Sequence, residues 1–341
     1  MKKLFILISF LFSVITLISQ EQCVSIKKIW DNGKHCAFTS LIKFNGKYYC
    51  SFREGETHIF GLDGKAEGKS RILVSEDGEN WQPIALLEKK DYDLRDPKLS
   101  ITPDGQLMVL MGGSVYVDKK LVNRYPQVSF SKDGTHFTKP VPIHFNDGAS
   151  GHDWLWRVTW DGGTGYGANY YTDKGENKIS LVKTTDGLKY DLVTILDVTE
   201  LPNEATIRIL PDKRMLMMVR RETGNRRGYW GISNPPYKEW EWKEMELQLG
   251  GPDFIQAGEN FFIAGTRSYF ISSAHKSILL TGDTDGRFQE VYMLPSGGDT
   301  SYPAFLIEGD EVWVSYYSMH ETKNASIYLA KFPLSFFKGK N

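Results

Sequence analysis

The feature that most constrains the fold of this chain is a recurring phrase: a short β-type run, a polar turn and an aromatic residue. Clear copies occupy residues 71–81, 127–137 and 179–190, and weaker copies occupy residues 229–240, 277–288 and 326–332. Successive polar turns lie about 50 residues apart, a period typical of repeat architectures. A unit of this size cannot bury both of its faces alone, so the units must pack against each other.

A second phrase alternates with the first: a strand, a turn rich in Gly or Asp, and another strand, as β-hairpins require. The six turns are Asn45-Gly46, Asp104-Gly105, Gly162-Gly163, Asp212-Lys213, Gly258-Glu259 and Gly309-Asp310. Two interleaved phrases in six copies predict an all-β fold, a six-bladed β-propeller with about four strands per blade. Six blades use the whole of residues 20–341, which we therefore expect to form a single catalytic domain.

The N-terminal segment has the layout of a secretory signal peptide over residues 1–19. Lys2 and Lys3 precede an apolar run, and the small residue Ser19 precedes polar residues. The run is short for a bilayer span and no other long apolar segment follows, so we expect an exported protein, periplasmic or secreted, without a membrane span after signal cleavage. Three cysteines near the N-terminus fix no disulfide pairing.

The clearest copy of the first phrase resembles the Asp box of sialidase-like propellers. It reads Ser75-x-Asp77-Gly78-x-x-Trp81, and residues 131–137 and 184–190 look like further copies. In such a box the Asp carboxylate accepts backbone N–H bonds while the aromatic residue packs under the blade, so we expect a structural role. The resemblance implies a propeller of the sialidase-like type, and it is specific for the fold but weak for the reaction.

In a propeller the innermost strands converge on the axis, so their first residues and the last residues of the second strands should ring one mouth of the channel. The repeat alignment puts unusually many Arg, Tyr and carboxylate groups there. The predicted substrate-binding residues are Arg53, Arg95, Asp96, Tyr170, Arg220, Asp253 and Arg267. The predicted catalytic residues are His58, His152, Glu204 and Tyr302.

Several of these residues resemble the site of sialidases, in which three arginines hold a sugar carboxylate and a Tyr–Glu pair supplies the nucleophile. The segment with Glu204 and Arg220 resembles the one that carries the glutamate and the second arginine; Arg267 resembles the third arginine and Tyr302 the nucleophile. A guanidinium and a carboxylate pair in planar, bidentate geometry. A glutamate beside a phenol can accept its proton.

The first sialidase arginine has no counterpart, because its place reads Ala37-Phe38-Thr39-Ser40-Leu41. Either Arg53 or Arg95 replaces it, or the pocket holds a different acid. A uronic acid is one candidate: arginines would stabilise the enolate-like state formed when its C5 proton leaves, and a His or Tyr base would drive elimination at C4. Enzymes of marine flavobacteria that process ulvan oligosaccharides are similar in size, export signal and propeller type.

The sequence therefore predicts a lyase or dehydratase that acts by β-elimination on a uronic acid at the non-reducing end of an anionic oligosaccharide, such as one from ulvan. Two alternatives remain: an exo-sialidase-type hydrolase using Tyr302 and Glu204, and a non-catalytic sugar-binding propeller. The Cys and His residues lack zinc spacing, and we expect neither a metal nor a cofactor. With a net charge of −1 we expect no nucleic-acid partner, and we expect a monomer.

Overall fold

The computed structural model describes residues 24–147, 150–268 and 275–339 of the chain. The predicted export signal over residues 1–19 and Cys23 lie outside the described residues, so export stays a prediction. No helix within the described ranges is long and apolar enough to cross a membrane. The described residues form 26 strands and one short helix, arranged as six small sheets.

The described chain starts with β1 (Ser25–Trp30) and then forms the blades in order. The first blade comprises β2 (His35–Phe44), β3 (Lys47–Gly55), β4 (Lys69–Ser75) and β5 (Gln82–Leu87). The second comprises β6 (Asp93–Ile101), β7 (Leu107–Val117), β8 (Lys120–Arg124), β9 (Gln127–Ser131) and β10 (Val141–Pro142). The third comprises β11 (His144–Phe145), β12 (Trp154–Asp161), β13 (Thr164–Asp173), β14 (Glu176–Thr184) and β15 (Lys189–Ile195).

The other three blades follow the simple four-strand pattern. The fourth comprises β16 (Pro202–Ile209), β17 (Met215–Arg221), β18 (Arg227–Ser233) and β19 (Glu241–Gln248). The fifth comprises β20 (Asp253–Gly258), β21 (Phe261–Ser268), β22 (Lys276–Gly282) and β23 (Phe288–Met293). The sixth comprises β24 (Ser301–Glu308), β25 (Glu311–Ser318), β26 (Ser326–Pro333) and β1, and helix α1 (Leu334–Lys338) follows β26.

The ring closes between the two ends of the described chain. β1 pairs antiparallel with β26, from Ser25 opposite Lys331 to Trp30 opposite Ile327. The innermost strands of successive blades contact each other in turn, and β24 contacts β2. Closure leaves no blade without neighbours and protects the sheet edges. The predicted six-bladed β-propeller is confirmed.

The Asp boxes form the turns that the sequence predicts. The Asp77 carboxylate accepts the backbone N–H groups of Glu79 and Asn80, both at 2.8 Å. Asp133 and Asp186 each accept the corresponding two N–H groups in the second and third blades. These hydrogen bonds lower the pKa of each carboxyl. The boxes thus fix turns between outer strands.

The innermost strands carry a shared irregularity that positions the site. In five of them the pairing register shifts near the start of the strand, at residues 37–40, 95–98, 155–158, 202–205 and 301–304. Such bulges redirect side chains and are common next to active sites. Phe38, Asp96 and Tyr302 lie at these bulges with φ of +70°, +49° and +54°, a left-handed backbone that costs free energy in non-glycine residues.

Candidate functional site

A buried hydrogen-bonded network joins the fourth and sixth blades at the axis. The Tyr302 hydroxyl donates to Glu204 Oε1, while Glu204 Oε2 accepts from Arg220 Nη1 at 2.7 Å and from the Gly251 N–H at 2.8 Å. The three side chains belong to residues that are at most 8% exposed. The structure thus brings together Tyr302, Glu204 and Arg220, which the sequence predicted for the site.

The charges of this network fix its protonation states. Burial opposes the ionisation of Glu204, but the charge of Arg220, the hydrogen bonds from Tyr302 and Arg220, and the charge of Arg267 hold its pKa below the usual value. Burial raises the pKa of Tyr302 well above its usual value, and the negative charges of Glu204 and Asp96 add to that rise. At neutral pH Tyr302 therefore keeps its proton and Glu204 is its ionised acceptor.

A second ionisable pair lies beside this network on β6. Asp96 is 6% exposed, and its Oδ1 has no hydrogen-bond partner among the described residues. Burial raises the pKa of Asp96 to about 6, although the charges of Arg95 and Lys98 oppose the rise. The Lys98 ammonium lies 4.7 Å from the ring centroid of Trp156 and 5.3 Å from that of Tyr302. Burial lowers the pKa of Lys98 to about 7.

A third cluster surrounds Asp299 on the other side of Phe38. His35 Nε2 and His58 Nδ1 lie 2.9 and 2.5 Å from Asp299 Oδ2, and the Tyr317 hydroxyl donates to Oδ1 at 2.9 Å. Burial opposes ionisation of Asp299, but the hydrogen bonds from both histidines hold its pKa well below the usual value. The Phe38 ring centroid lies 5.1 Å from that of His58 and 4.9 Å from that of Tyr302. The Tyr317 ring centroid lies 6.0 Å from that of Tyr302, so both Phe38 and Tyr317 connect the Asp299 cluster to Tyr302.

The Asp299 cluster contains three residues of types that also bind metal ions. One ligand atom each from His35, His58 and Asp299 lies within 4.8 Å of the other two. A metal-bound imidazole normally donates its other N–H to an acceptor. His35 Nδ1 is buried and has no hydrogen-bond partner in the described part of the chain. The donor set therefore fits a carboxylate that orients two imidazoles better than a supported metal centre.

Arg95 lies next to the same group. Its Nη1 donates to Asp93 Oδ2 and to the His58 carbonyl, both at 3.0 Å. Its guanidinium carbon lies 4.9 Å from the Phe38 ring centroid. Arg95 thus holds the loop of His58 against Phe38.

Arg267 and Tyr170 also belong to this neighbourhood. The charge of Arg267 acts on both Glu204 and Tyr317 and lowers the pKa of Glu204. Burial raises the pKa of Tyr170 well above its usual value, as do the nearby charges of Glu204 and Asp96. The described structure therefore brings eight of the eleven predicted site residues into one neighbourhood. His58 is one of them, through the Asp299 cluster, and seven others lie in the network of Glu204 and Asp96. These seven are Arg95, Asp96, Tyr170, Glu204, Arg220, Arg267 and Tyr302.

Three predicted residues are not brought into this group. Arg53 is 1% exposed, and its guanidinium donates to Asp93 Oδ1 at 2.7 Å and to two carbonyls of the following loop. The buried Asp253 carboxylate lies 2.9 Å from Arg157 and 2.7 Å from Arg208. His152 is exposed at the rim. The roles predicted for these residues stay predictions that their placement does not support, because Arg53 and Asp253 are almost fully enclosed by protein groups and His152 lies apart from the network.

Replacing Arg53 with Met tests its structural role. The change leaves the buried Asp93 carboxylate with one guanidinium partner fewer and releases the loop carbonyls. We expect the free energy of unfolding to fall by about 3–5 kcal/mol, the usual result of breaking a buried ion pair. Urea denaturation measures this. Arg214→Met, at an accessible pair with Asp212, is the control and should leave the free energy of unfolding nearly unchanged. Unchanged stability together with a loss of carboxylate binding would show that Arg53 binds the sugar carboxylate, as the sequence predicted.

Sequence reasoning missed several residues that the geometry includes. Lys98, His35, Asp299 and Tyr317 were not among the predicted site residues, nor was Arg124, which contacts His152. Asp299 had a visible signal, since it stands three residues before Tyr302 in the same phrase. Lys98 had a weaker one, as the last of four charged residues at the start of β6, two positions after Asp96.

Comparisons with known proteins support the fold. No protein-family model and no curated protein matches the chain. A solved structure of unknown function from Dyadobacter fermentans has a TM-score of 0.78 at 18% identity, covering 91% of this chain and 99% of that one. Trypanosoma rangeli sialidase has a TM-score of 0.69 at 12% identity, with coverage of 92% and 60%. A variant of NanB sialidase from Streptococcus pneumoniae has a TM-score of 0.67 at 10% identity, with coverage of 90% and 70%.

These likenesses confirm the predicted sialidase-like propeller fold. The chain spans 60% of the length of the T. rangeli sialidase. At identities of 10–18% the likeness shows the fold alone. The weaker resemblance to enzymes that process ulvan oligosaccharides stays a prediction.

Proposed function

We propose that this protein is an enzyme that acts on an acidic sugar at the end of an oligosaccharide, with the sugar carboxylate bound near Arg220 and Arg267. The buried contact of Tyr302 with Glu204, itself held by Arg220, carries this proposal. Buried ionisable groups lower stability unless they are paired, and they cluster where they do chemistry. A sugar-binding propeller without activity needs no phenol–carboxylate pair at its axis.

The reaction that we propose is β-elimination on a uronic acid. His58 Nδ1 is held by Asp299, which leaves Nε2 available as a base, and His58 is 43% exposed, so a bound sugar can reach it. Tyr302, whose raised pKa keeps it protonated, suits the acid. Phe38, in the place of the missing sialidase arginine, lies between these two groups.

The bond changes assign each group one task. His58 Nε2 removes the proton from C5 while the arginines stabilise the enolate-like carboxylate. The electron pair forms the C4=C5 double bond and the C4–O bond breaks. Tyr302 gives its proton to the departing oxygen, which leaves as water from a terminal uronic acid with a free C4 hydroxyl, or as an alcohol where a further sugar is linked to C4. The phenolate regains its proton from solvent, and His58 releases the C5 proton to solvent.

Hydrolysis is a second candidate because two observations favour it. The Tyr302–Glu204 contact suits a phenol that attacks the anomeric carbon while the carboxylate takes its proton. Asp96, with a pKa of about 6, is a carboxyl that could protonate a leaving group near neutral pH. Proteins of similar fold include sialidases.

One assay with two kinds of substrate tests the proposal. The purified protein is incubated with uronate-terminated oligosaccharides, including ulvan-derived ones, and separately with sialosides. We expect ultraviolet absorbance from a new C=C conjugated to the carboxylate, and its loss in His58→Ala. Free sialic acid without absorbance would favour the hydrolase instead. Binding of an acidic glycan without either product would favour a non-catalytic sugar-binding protein.

Chelation provides the control for the role of the Asp299 cluster. If Asp299 only orients His58, dialysis against a chelator should leave the rate unchanged. A rate that falls on chelation and returns with a divalent cation would reassign His35, His58 and Asp299 to a metal centre.

A further inference from the structure

Arg124 is only partly buried and differs in its surroundings from the buried arginines Arg53 and Arg95. It ends β8, the extra strand that pairs with β7 on the second blade, and its Nη2 donates to the His152 carbonyl of the third blade at 2.7 Å. Arg53 and Arg95 each lie on a carboxylate, whereas Arg124 has no ion pair within the described ranges. The extra hairpin thus places a guanidinium without an acidic partner at the rim.

Tyr170 connects this guanidinium to the centre of the site. The guanidinium carbon of Arg124 lies 5.7 Å from the Tyr170 ring centroid, and the Tyr170 ring stacks on Trp154 at 6.3 Å. Tyr170 is also close enough to Glu204 and Asp96 for their charges to act on its hydroxyl. One aromatic ring therefore separates Arg124 from the carboxylates at the axis, a spacing that suits the next sugar of a bound chain.

We propose that Arg124 and Tyr170 form a subsite for a second anionic group, carried by the sugar next to the reacting one. The proposal rests on the proposed function, because it extends the same substrate by one unit. Tyr170 and the His152 carbonyl hold the guanidinium in a fixed plane. Its Nη groups can then pair with the oxygens of a sulfate ester or of a second carboxylate, whereas its Nε is buried.

This assignment competes with a purely structural role for Arg124, in which its bond to the His152 carbonyl only fastens β8 to the third blade. The two roles predict different kinetics. If Arg124 only fastens β8, its loss should change the kinetic constants for all substrates alike. If it forms a subsite, its loss should change KM only for substrates that carry the second anionic group. A change in KM that depends on the substrate therefore separates them.

The experiment compares wild type, Arg124→Met and Arg124→Lys on three uronate-terminated oligosaccharides. In these the neighbouring sugar carries a sulfate ester, a carboxylate or neither. We expect Arg124→Met to raise KM about 10- to 100-fold on the preferred charged substrate, the range for a lost charge-assisted hydrogen bond, with kcat nearly unchanged. The neutral substrate should be unaffected. Arg124→Lys should restore only part of the loss, because a lysine cannot bind in a bidentate way.

The outcomes separate this proposal from the proposed function. The preferred charged substrate identifies the second group as sulfate or carboxylate. Equal loss on all three substrates, or no loss on any, overturns the subsite while the enzyme stands. If wild type turns over none of them, titration calorimetry with the same oligosaccharides decides. Equal affinities of wild type and Arg124→Met overturn the subsite. A loss of affinity for the charged oligosaccharides alone supports the subsite in a protein without catalysis. Arg214→Met, in the β16–β17 turn at the opposite mouth, is the matched control.

Discussion

Replacing Tyr302 with Phe is expected to lower kcat by about 10³-fold, within the range that a positioned proton donor contributes to catalysis. Both candidate reactions need this hydroxyl, as the acid in elimination and as the nucleophile in hydrolysis. The substitution keeps the ring, which lies 4.9 Å from Phe38 and 5.5 Å from Trp156 between centroids. Glu204 keeps its bonds from Arg220 and Gly251, so the free energy of unfolding should fall by only about 1–2 kcal/mol.

Steady-state kinetics and thermal unfolding of the same preparation check this prediction. Tyr316→Phe is the matched control, since Tyr316 is also buried but its hydroxyl donates to the Pro295 carbonyl away from the axis. It should lose a similar amount of stability and no activity. If Tyr302→Phe keeps more than a tenth of the wild-type rate, the hydroxyl is structural and both proposed mechanisms are wrong.

The blades could be predicted because turn chemistry is local. An Asp that accepts two N–H groups within its own turn needs no distant partner, so the phrase around Asp77 indicates a turn wherever it occurs. Six copies at a constant spacing then leave few architectures. The same spacing placed Tyr302, Glu204 and Arg220 at one mouth of the ring, because equivalent positions of a ring meet at its axis. The resemblance to sialidases then singled them out and paired Tyr302 with Glu204.

The rest of the site depends on features that a sequence does not display. Arg53 lies on the second strand opposite Ala37, and it points into the blade at a buried aspartate rather than into the channel. A bulge between Arg95 and Lys98 breaks strict alternation, so that Arg95, Asp96 and Lys98 are all buried. His58 and Asp299 are 241 positions apart and meet only through loops. Bulge positions and loop paths are set by tertiary packing, not by residue pattern.

Asp96→Asn is expected to stabilise the protein at neutral pH and, if the reaction is hydrolysis with Asp96 as the acid, to impair activity. The ordinary pKa of the carboxyl is 3.8, and in the folded protein it is about 6. A raised pKa means that this group favours folding most below pH 3.8 and loses that contribution as the pH rises through about 6. Asparagine stays neutral throughout, so the variant avoids this loss. The pKa of about 6 already includes the opposing charges of Arg95 and Lys98, so we expect a net gain of about 1–3 kcal/mol.

Urea denaturation of both proteins between pH 4 and pH 8 measures the effect. The stability difference should be small at the acid end and grow as the pH rises through the pKa of about 6. Asp104→Asn is the control with the opposite sign, because hydrogen bonds from Thr102 and Gln106 lower the pKa of Asp104. A variant that is less stable than wild type at neutral pH would mean that Asp96 is a well-paired charge. A stabilised variant with low activity would instead show that the fold gives up stability to keep this carboxyl at the axis, as expected of a group retained for chemistry.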